Sequence, residues 1–281
     1  MIENQIKTVI LLGLLTGIFL WVGSIWGSTG LTIAIIFAIV FNLGSLLFSH
    51  KIVLAMYHAK EVSASEEPKL HSIIQELCRR AELPKPKIYL INSANPNAFA
   101  TGPGYKTAAV AFTTGIINLL NDEELKGVAA HELSHVKNRD TLIATIAATI
   151  AGVISYVAFA ARWGAIFGGA GNDRGRGNVA ELLVLAILTP ILAMLIQLAI
   201  SRSREFIADA TGAKLAHNSK GLASALEKLE NGSRHNPMKI GTQSTHSLFI
   251  VNPLSGKNIF RLLSTHPPTE DRVKRLNAMK F

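Results

Sequence analysis

Four long uncharged segments constrain the fold of this chain more than any other feature of its sequence. They cover residues 8–27, 31–48, 141–161 and 182–200. A helix of about twenty apolar residues spans the hydrocarbon core of a bilayer, and each segment is close to that length. The chain is 49% hydrophobic and only 17% charged, which disfavours a single soluble domain. Because the segments occur in two pairs, the sequence predicts two transmembrane helical hairpins.

The connections within the two pairs differ. Ser28, Thr29 and Gly30 predict a short turn in the first hairpin, where Asn42 is expected to form a hydrogen bond between the helices. The Gly-rich stretch 162–180 joins the second pair and is typical of a flexible connector. We therefore expect an N-terminal hairpin at 1–50 and a second hairpin at 141–200.

Two stretches outside the hairpins have the composition of soluble protein. Residues 51–140 contain 11 Lys/Arg and 10 Asp/Glu, and residues 201–281 contain 13 Lys/Arg and 6 Asp/Glu. Periodicity and turn residues in the first stretch predict a small α+β unit. Its expected elements are a helix at 68–83, strands at 87–91, 98–101 and 108–112, and a short helix at 114–120.

Charge predicts the orientation. The stretches 51–140 and 201–281 must lie on one side of the membrane, because an even number of spans separates them, and they hold 24 of the 28 basic residues. Basic loops favour the cytoplasm, whereas the Arg-bearing loop 162–180 is a mild conflict. The fold class that we expect is a mainly α-helical, multi-pass membrane protein with four transmembrane helices and a small α+β cytoplasmic domain.

His131 and His135 form the motif with the clearest chemistry, His-Glu-x-x-His. If this stretch is helical, the two imidazoles lie one turn apart on one face and can reach one Zn²⁺. Glu132 between them is placed to act as a general base. Asn121 predicts the helix N-cap. A surface helix carrying two histidines by chance is the alternative, so the motif needs a third ligand.

Glu205 and Asp209 are the candidates for completing the site. They share one helical face directly after the fourth uncharged segment. Such a pair is common on solvated surfaces, but two spans after the histidines return the chain to the same side of the membrane. Cys78 is the only cysteine, which excludes a Cys-rich zinc site, and we expect it to be a buried structural thiol.

Taken together, the His131 motif, the Glu205–Asp209 pair and the runs at 95–102 (NPNAFATG) and 264–272 (STHPPTEDR) resemble the HtpX family of bacterial membrane zinc endopeptidases, relatives of the CAAX prenyl proteases. The resemblance implies one zinc ion per chain, with Glu205 as third ligand and Asp209 orienting a ligand histidine.

The same resemblance implies that His266 and Arg272 lie near the metal and could stabilise an oxyanion. Alternatively, His266 starts a final helix and Arg272 pairs with a nearby acid. Residues 231–249 are expected to form a mobile loop.

The strand before the zinc helix suggests a substrate site. Asn97, Ala98, Phe99 and Ala100 are predicted to hold the main chain of an extended peptide by edge pairing. Plain scaffolding is the alternative for this hairpin.

The function that we expect is zinc-dependent endoproteolysis at the cytoplasmic face of the inner membrane. The resemblance implies membrane-protein or misfolded polypeptide substrates, in stress response and quality control. A prenyl-protein-type processing protease and a zinc-stabilised membrane scaffold are the alternatives, although a structural site has no use for Glu132. The lipid bilayer is an expected partner and nucleic acid is not, since no groove-reading motif accompanies the charge. The substrates and the oligomeric state are left open.

Overall fold

The computed structural model describes residues 2–24, 27–147, 150, 191, 202–238, 248–251 and 266–280. The chain begins with two long helices that pack against each other: α1 is Ile2–Ser24 and α2 is Gly27–Met56. Asn42 Nδ2 in α2 donates a hydrogen bond to Thr16 Oγ1 in α1, at 2.8 Å, which confirms the predicted contact across the hairpin.

The predicted turn at residues 28–30 is wrong, because these residues lie inside α2. Small polar residues are as compatible with the first turn of a helix as with a loop, and Thr32 Oγ1 donates to the Ser28 carbonyl there. At its other end α2 continues to Met56, beyond the expected boundary at residue 50. The first helical pair is therefore longer than the sequence suggested.

Across the part of the chain that the structure describes, α2 is the one helix long and apolar enough to cross a membrane, and α1 contains the shorter apolar stretch Val9–Trp21. The third predicted span is described only at 141–147 and 150, and the fourth only at 191. Most of the predicted second hairpin thus lies outside the described residues, as does the Gly-rich connector.

A four-stranded sheet of order β1-β2-β4-β3 forms the β part of the soluble domain. β2 pairs with β4 in parallel, and β3 pairs with β4 antiparallel as the hairpin that the sequence predicted. β3 is consequently an edge strand, whereas β4 is internal. The strands are β1 Lys60–Glu61, β2 Lys87–Ile91, β3 Ala98–Thr101 and β4 Ala109–Thr113.

Helices cover this sheet and enclose one main apolar core, to which Leu77, Val110, Val128 and Leu226 contribute. Cys78 belongs to the same core at 1% exposure, and burial raises the pKa of its thiol to about 11, which confirms a structural cysteine. The helices are α3 Pro68–Ala81, α4 Thr114–Leu119, α5 Asp122–Asn138, α6 Arg202–Ala216, α7 Ser219–His235 and α8 Thr269–Asn277.

α5 is defined sharply at both ends. Asn121 and Glu124 form a capping box at its start, in which each side chain accepts from the other residue's main-chain N–H. Arg139 ends the helix in the left-handed conformation, with φ +59°. Residues 140–147 then form a new helical stretch. The zinc helix therefore does not continue straight into the third uncharged segment.

Residues 248–251 lie along the outer edge of β3. The Ile250 N–H donates to the Ala98 carbonyl at 3.1 Å. Phe249 packs against Tyr57 and Phe99, with ring centroids 5.1 and 5.2 Å apart. The prediction of a mobile loop at 231–249 is therefore wrong at both ends, since α7 extends to His235 and residues 248–250 are packed against the sheet.

Candidate metal centre and active site

Two helices bring the predicted zinc ligands together. α5 carries His131 and His135, and α6 carries Glu205 in its first turn. α6 can approach closely because Gly212 faces the backbone of α5: a Cβ at Gly212 would stand 2.9 Å from the main-chain nitrogen of His131. Real Cβ atoms do not come that close to a backbone, so this glycine sets the distance between the helices.

The three donor groups converge on one point. His131 Nε2 lies 3.2 Å from His135 Nε2, and each of these nitrogens lies 3.6 Å from an oxygen of Glu205. Two ligands bound to a tetrahedral zinc at its usual bond lengths are about 3.3 Å apart. The spacing therefore fits one zinc ion, and a His₂Glu set is a donor set of catalytic zinc sites.

The charges around the ligands also favour a cation. Burial lowers the pKa of His131, but the Asp209 and Glu205 carboxylates outweigh burial and raise that pKa to about 9. Burial raises the pKa of Glu205, but His266 and His131 hold it well below its ordinary value. The carboxylates thus stabilise positive charge where the three donor groups meet.

Asp209 lies behind His131, as the family resemblance implied. Its Oδ1 is 3.0 Å from His131 Nδ1, the nitrogen that faces away from the metal position. Arg272 binds both carboxylate oxygens of Asp209 and donates a third hydrogen bond to the Ile250 carbonyl at 2.9 Å. Burial raises the pKa of Asp209, but Arg272 outweighs burial and holds that pKa at about 2.

Glu132 lies beside the ligands in the cavity that they line. It is 2% exposed, and its carboxylate accepts a hydrogen bond from the main-chain N–H of Ala100. Burial raises the pKa of Glu132 above its ordinary value. The residue thus combines a dry environment with direct access to the cavity.

His266 and Arg272 occupy different positions. His266 lines the cavity, with Nδ1 3.3 Å from Glu205 Oε2. Arg272 is 2% exposed and is not among the described residues that line the cavity, but its Nη2 lies 3.4 Å from His131 Nε2 and its Nη1 lies 3.8 Å from Glu205 Oε2. Its guanidinium is bound to Asp209 and Ile250, which fits the alternative of pairing with a nearby acid, and action on a substrate oxyanion stays a prediction. Of the two residues, the geometry favours His266 as the one that meets a substrate.

Of the four predicted substrate-binding residues, one lines the cavity and three do not. Ala100 lines the cavity, but the side chains of Asn97, Ala98 and Phe99 are fully buried within the protein. Asn97 Nδ2 donates to the Val251 carbonyl at 2.9 Å. The side chains of these three residues contact the protein itself, so that a substrate at this strand would meet the main chain near Ala100.

Two residues of the site were missed by the sequence analysis. Gly212 lies seven residues after Glu205 and three after Asp209, hence on the same helical face, and that spacing was the available signal. Asp140 has its Oδ2 3.4 Å from His135 Nδ1. No helical spacing points to Asp140, because the chain turns at Arg139.

Comparison with known proteins gives the chain a clear set of relatives. The sequence profile of peptidase family M48 matches residues 64–280. A protease HtpX homolog of Syntrophobacter fumaroxidans is 50% identical over 280 residues, covering 98% of this chain and 99% of that protein. A protease HtpX homolog of Persephonella marina is 52% identical, with 98% and 97% covered. One from Pyrococcus furiosus is 48% identical, with 98% and 95% covered.

A solved structure shares the fold. The crystal structure of Saccharomyces mikatae Ste24p superimposes with a TM-score of 0.54 at 18% identity. The superposition covers 98% of this chain and 66% of the Ste24p chain, so this chain spans about two thirds of its length.

Proposed function

Because the chain belongs to peptidase family M48 and is a membrane-associated zinc metalloprotease, we propose that it is a multi-pass endopeptidase that cleaves membrane or misfolded proteins. The convergence of His131, His135 and Glu205, beside Glu132, is the observation that carries this proposal. Zinc-stabilised scaffolding without catalysis is disfavoured, since a structural site has no use for a base in its cavity.

In this proposal His131, His135 and Glu205 hold the zinc ion, which supplies Lewis-acid chemistry for hydrolysis of a peptide bond. Glu132 takes a proton from the attacking water and returns it to the leaving amine. A carboxylate that takes up a proton and later releases it must not be tied to the metal, and Glu132 is not one of the three converging donors.

His266 is the side chain that we assign to stabilisation of the oxyanion. It reaches the cavity next to Glu205, where an imidazole N–H can donate to the negative oxygen that develops as the carbonyl is attacked. Arg272 acts indirectly: it fixes Asp209, and Asp209 fixes His131.

Substrate binding is proposed at the edge of β3, through the main chain near Ala100. The edge of a sheet binds an extended peptide with little demand on its sequence, as suits the cleavage of damaged proteins. Ile250 already pairs with Ala98, so the accessible part of this edge is its Ala100 end. Cleavage should therefore tolerate many sequences.

The orientation and the location are part of the proposal. Four transmembrane helices would place both soluble stretches on the cytoplasmic side of the inner membrane, where quality control of membrane proteins is required. The placement of 24 of the 28 basic residues supports this arrangement, and the same charge suits contact with anionic lipid headgroups.

The test compares Glu132→Gln and Glu205→Ala in the full-length purified protein. We expect the Glu132 variant to retain about one zinc per chain and to lose at least about a hundredfold in cleavage, the scale of general-base catalysis. The Glu205 variant should lose zinc. Glu227→Gln, an exposed site on α7, is the matched control and should change neither property.

Two unfolded polypeptides and a prenylated peptide serve as substrates in this experiment. Stoichiometric zinc in the Glu205 variant, with both histidines intact, would refute the ligand set. Full cleavage by the Glu132 variant would refute the base. Cleavage of the prenylated peptide alone would contradict the quality-control function and support processing of prenylated proteins.

A further inference from the structure

Both zinc-ligand histidines have a carboxylate behind them, and each carboxylate has an arginine near it. On one side Asp209 lies 3.0 Å from His131 Nδ1 and binds Arg272. On the other side Asp140 Oδ2 lies 3.4 Å from His135 Nδ1, and Arg204 Nη1 lies 3.9 Å from Asp140 Oδ1. The second set has the same order of groups as the first at longer distances, and Asp140 and Arg204 belong to no motif of the sequence.

The turn at Arg139 is what allows the second set to form. Asp140 follows His135 by five residues, and on a continuous helix it would point about 140° away from that histidine. Arg139 instead adopts φ +59°, a region that residues with side chains disfavour, and its N–H donates to the His135 and Val136 carbonyls. The chain turns back at this point and brings Asp140 beside His135.

Neighbouring contacts hold this turn. The Arg139 guanidinium lies over the Tyr105 ring, 4.8 Å from its centroid. Thr141 Oγ1 donates to the Gly102 carbonyl at 2.9 Å, and Thr145 Oγ1 is 2.9 Å from Thr101 Oγ1. These contacts attach residues 140–147 to the end of β3, so the position of Asp140 is fixed by the sheet and not only by α5. Glu82 and His217 end helices in the same left-handed conformation, so the turn at Arg139 is an ordinary helix C-cap that the neighbouring contacts hold in place.

We propose that Asp140 positions His135 for zinc binding, and that Arg204 fixes Asp140. A carboxylate on Nδ1 selects the tautomer that leaves the Nε2 lone pair for the metal, and it limits rotation of the ring. Asp140 is 7% exposed, so water competes little for its oxygens. The inference rests on the proposed ligand set of His131, His135 and Glu205.

The positions of Asp140 and Arg204 in the sequence connect the metal site to the predicted second hairpin. Asp140 stands immediately before the third uncharged segment, and Arg204 follows the fourth by four residues. Their ion pair therefore joins the two ends of the predicted second hairpin at the metal site. Zinc affinity depends, in this view, on how those two ends are held together.

The experiment measures zinc affinity by competition with a chromophoric chelator, using full-length protein with Asp140→Asn, Asp140→Ala or Arg204→Gln. Loss of a partner behind a metal ligand typically weakens metal binding by about 10–100-fold, and we expect this for Asp140→Ala. Asp140→Asn should lose less, because its amide oxygen still accepts from Nδ1. Asp122→Asn, which changes an exposed acid at the start of α5, is the control and should bind zinc as the wild type does.

Two further comparisons separate positioning from stability. Arg204→Gln should weaken zinc binding in the wild-type background but have no added effect in the Asp140→Asn background. In chelator, where no zinc is bound, the variants should unfold at temperatures close to that of the wild type, whereas their zinc affinities should fall. If Asp140→Ala does not fold, the Asn and Gln variants carry the test.

The outcomes are distinguishable. Zinc affinity within twofold of wild type in the folded Asp140 variants would overturn the positioning role and leave the ligand set intact. Absence of tight zinc binding in the wild type itself would overturn the ligand set, and the positioning inference with it.

Discussion

Arg272 forms a bidentate ion pair with Asp209, in which Nε and Nη2 donate to the two carboxylate oxygens at 2.8 and 2.7 Å. Both residues are buried, and together they join α8 to α6 directly behind His131. A buried pair of this kind adds little to stability by its presence, but removing one partner leaves a charge without compensation. The contact therefore connects the last described helix to the metal site.

Arg272→Met should lower the free energy of unfolding by about 3–5 kcal/mol, because Asp209 would keep its charge in a buried position. The Arg272→Lys protein should be less stable than the wild type and more stable than the Arg272→Met protein, since the ammonium group of lysine cannot bind both carboxylate oxygens in the same plane. Arg234→Met is the control: its side chain is 56% exposed in an i,i+4 pair, and it should change stability by at most about 0.5 kcal/mol. Denaturant unfolding in detergent provides the measurement. Equal stability of the Arg272→Met protein and the wild type would contradict the prediction.

Asp209 should also make the protein sensitive to acid. Its pKa is about 2, below its ordinary value of 3.8, so the charged form favours the folded state. The stabilisation is complete above about pH 4 and is lost as the pH falls toward 2, and it amounts to about 2 kcal/mol. The difference in unfolding free energy between wild type and Asp209→Asn, measured in chelator, should shrink over that range. A difference that stays constant from pH 5 to 2 would rule out this linkage.

Gly212→Ala should impair the metal site from a position that is not itself a metal ligand. The added methyl group meets the backbone at His131, so α6 must move away from α5 and carry Glu205 with it. We expect overpacking to cost about 1–3 kcal/mol and zinc affinity to fall. Gly127→Ala is the matched control, since a Cβ there meets the backbone of Leu222, away from the ligands. That variant should lose stability and keep its zinc affinity; equal zinc affinity in both variants would argue against the spacing role of Gly212.

The proposed topology can be tested with single cysteines. Ser65→Cys and Lys220→Cys, in a Cys78→Ala background, lie in the two soluble stretches, and Asn172→Cys lies in the connector of the second predicted hairpin. An impermeant thiol reagent added to intact cells should label only the Asn172 site. Labelling of the Ser65 or Lys220 site from outside would reverse the orientation.

Local features of the sequence were enough to predict most of the soluble fold. The N-cap at Asn121 and the turn residues that bound β2 to β4 depend on neighbouring residues, and these features were predicted correctly. The spacing of His131 and His135 likewise follows from one helix. For Glu205 the helical face was readable, but its meeting with the histidines was suggested by the family resemblance and by membrane topology.

The features that could not be predicted depend on contacts between distant parts of the chain. Asp140 could not be predicted because a left-handed residue, Arg139, interrupts the helical periodicity that would relate it to His135. The burial of Phe99 follows from Tyr57 and Phe249, which come from elements far away in sequence. For Arg272 the sequence left two alternatives open, oxyanion stabilisation and pairing with a nearby acid, and only the folded structure identifies Asp209 as that acid.

The order in which these elements are synthesised determines when the active site can form. The histidines on α5 are synthesised first, the acidic ligand on α6 follows after the second pair of uncharged segments, and Arg272 on α8 comes later still. A growing chain that has not reached α6 lacks a complete set of metal ligands, and one that has not reached α8 leaves Asp209 without its cation. On the proposed ligand set, proteolytic competence is therefore acquired late in synthesis, because a chain that ends before α6 lacks the third ligand.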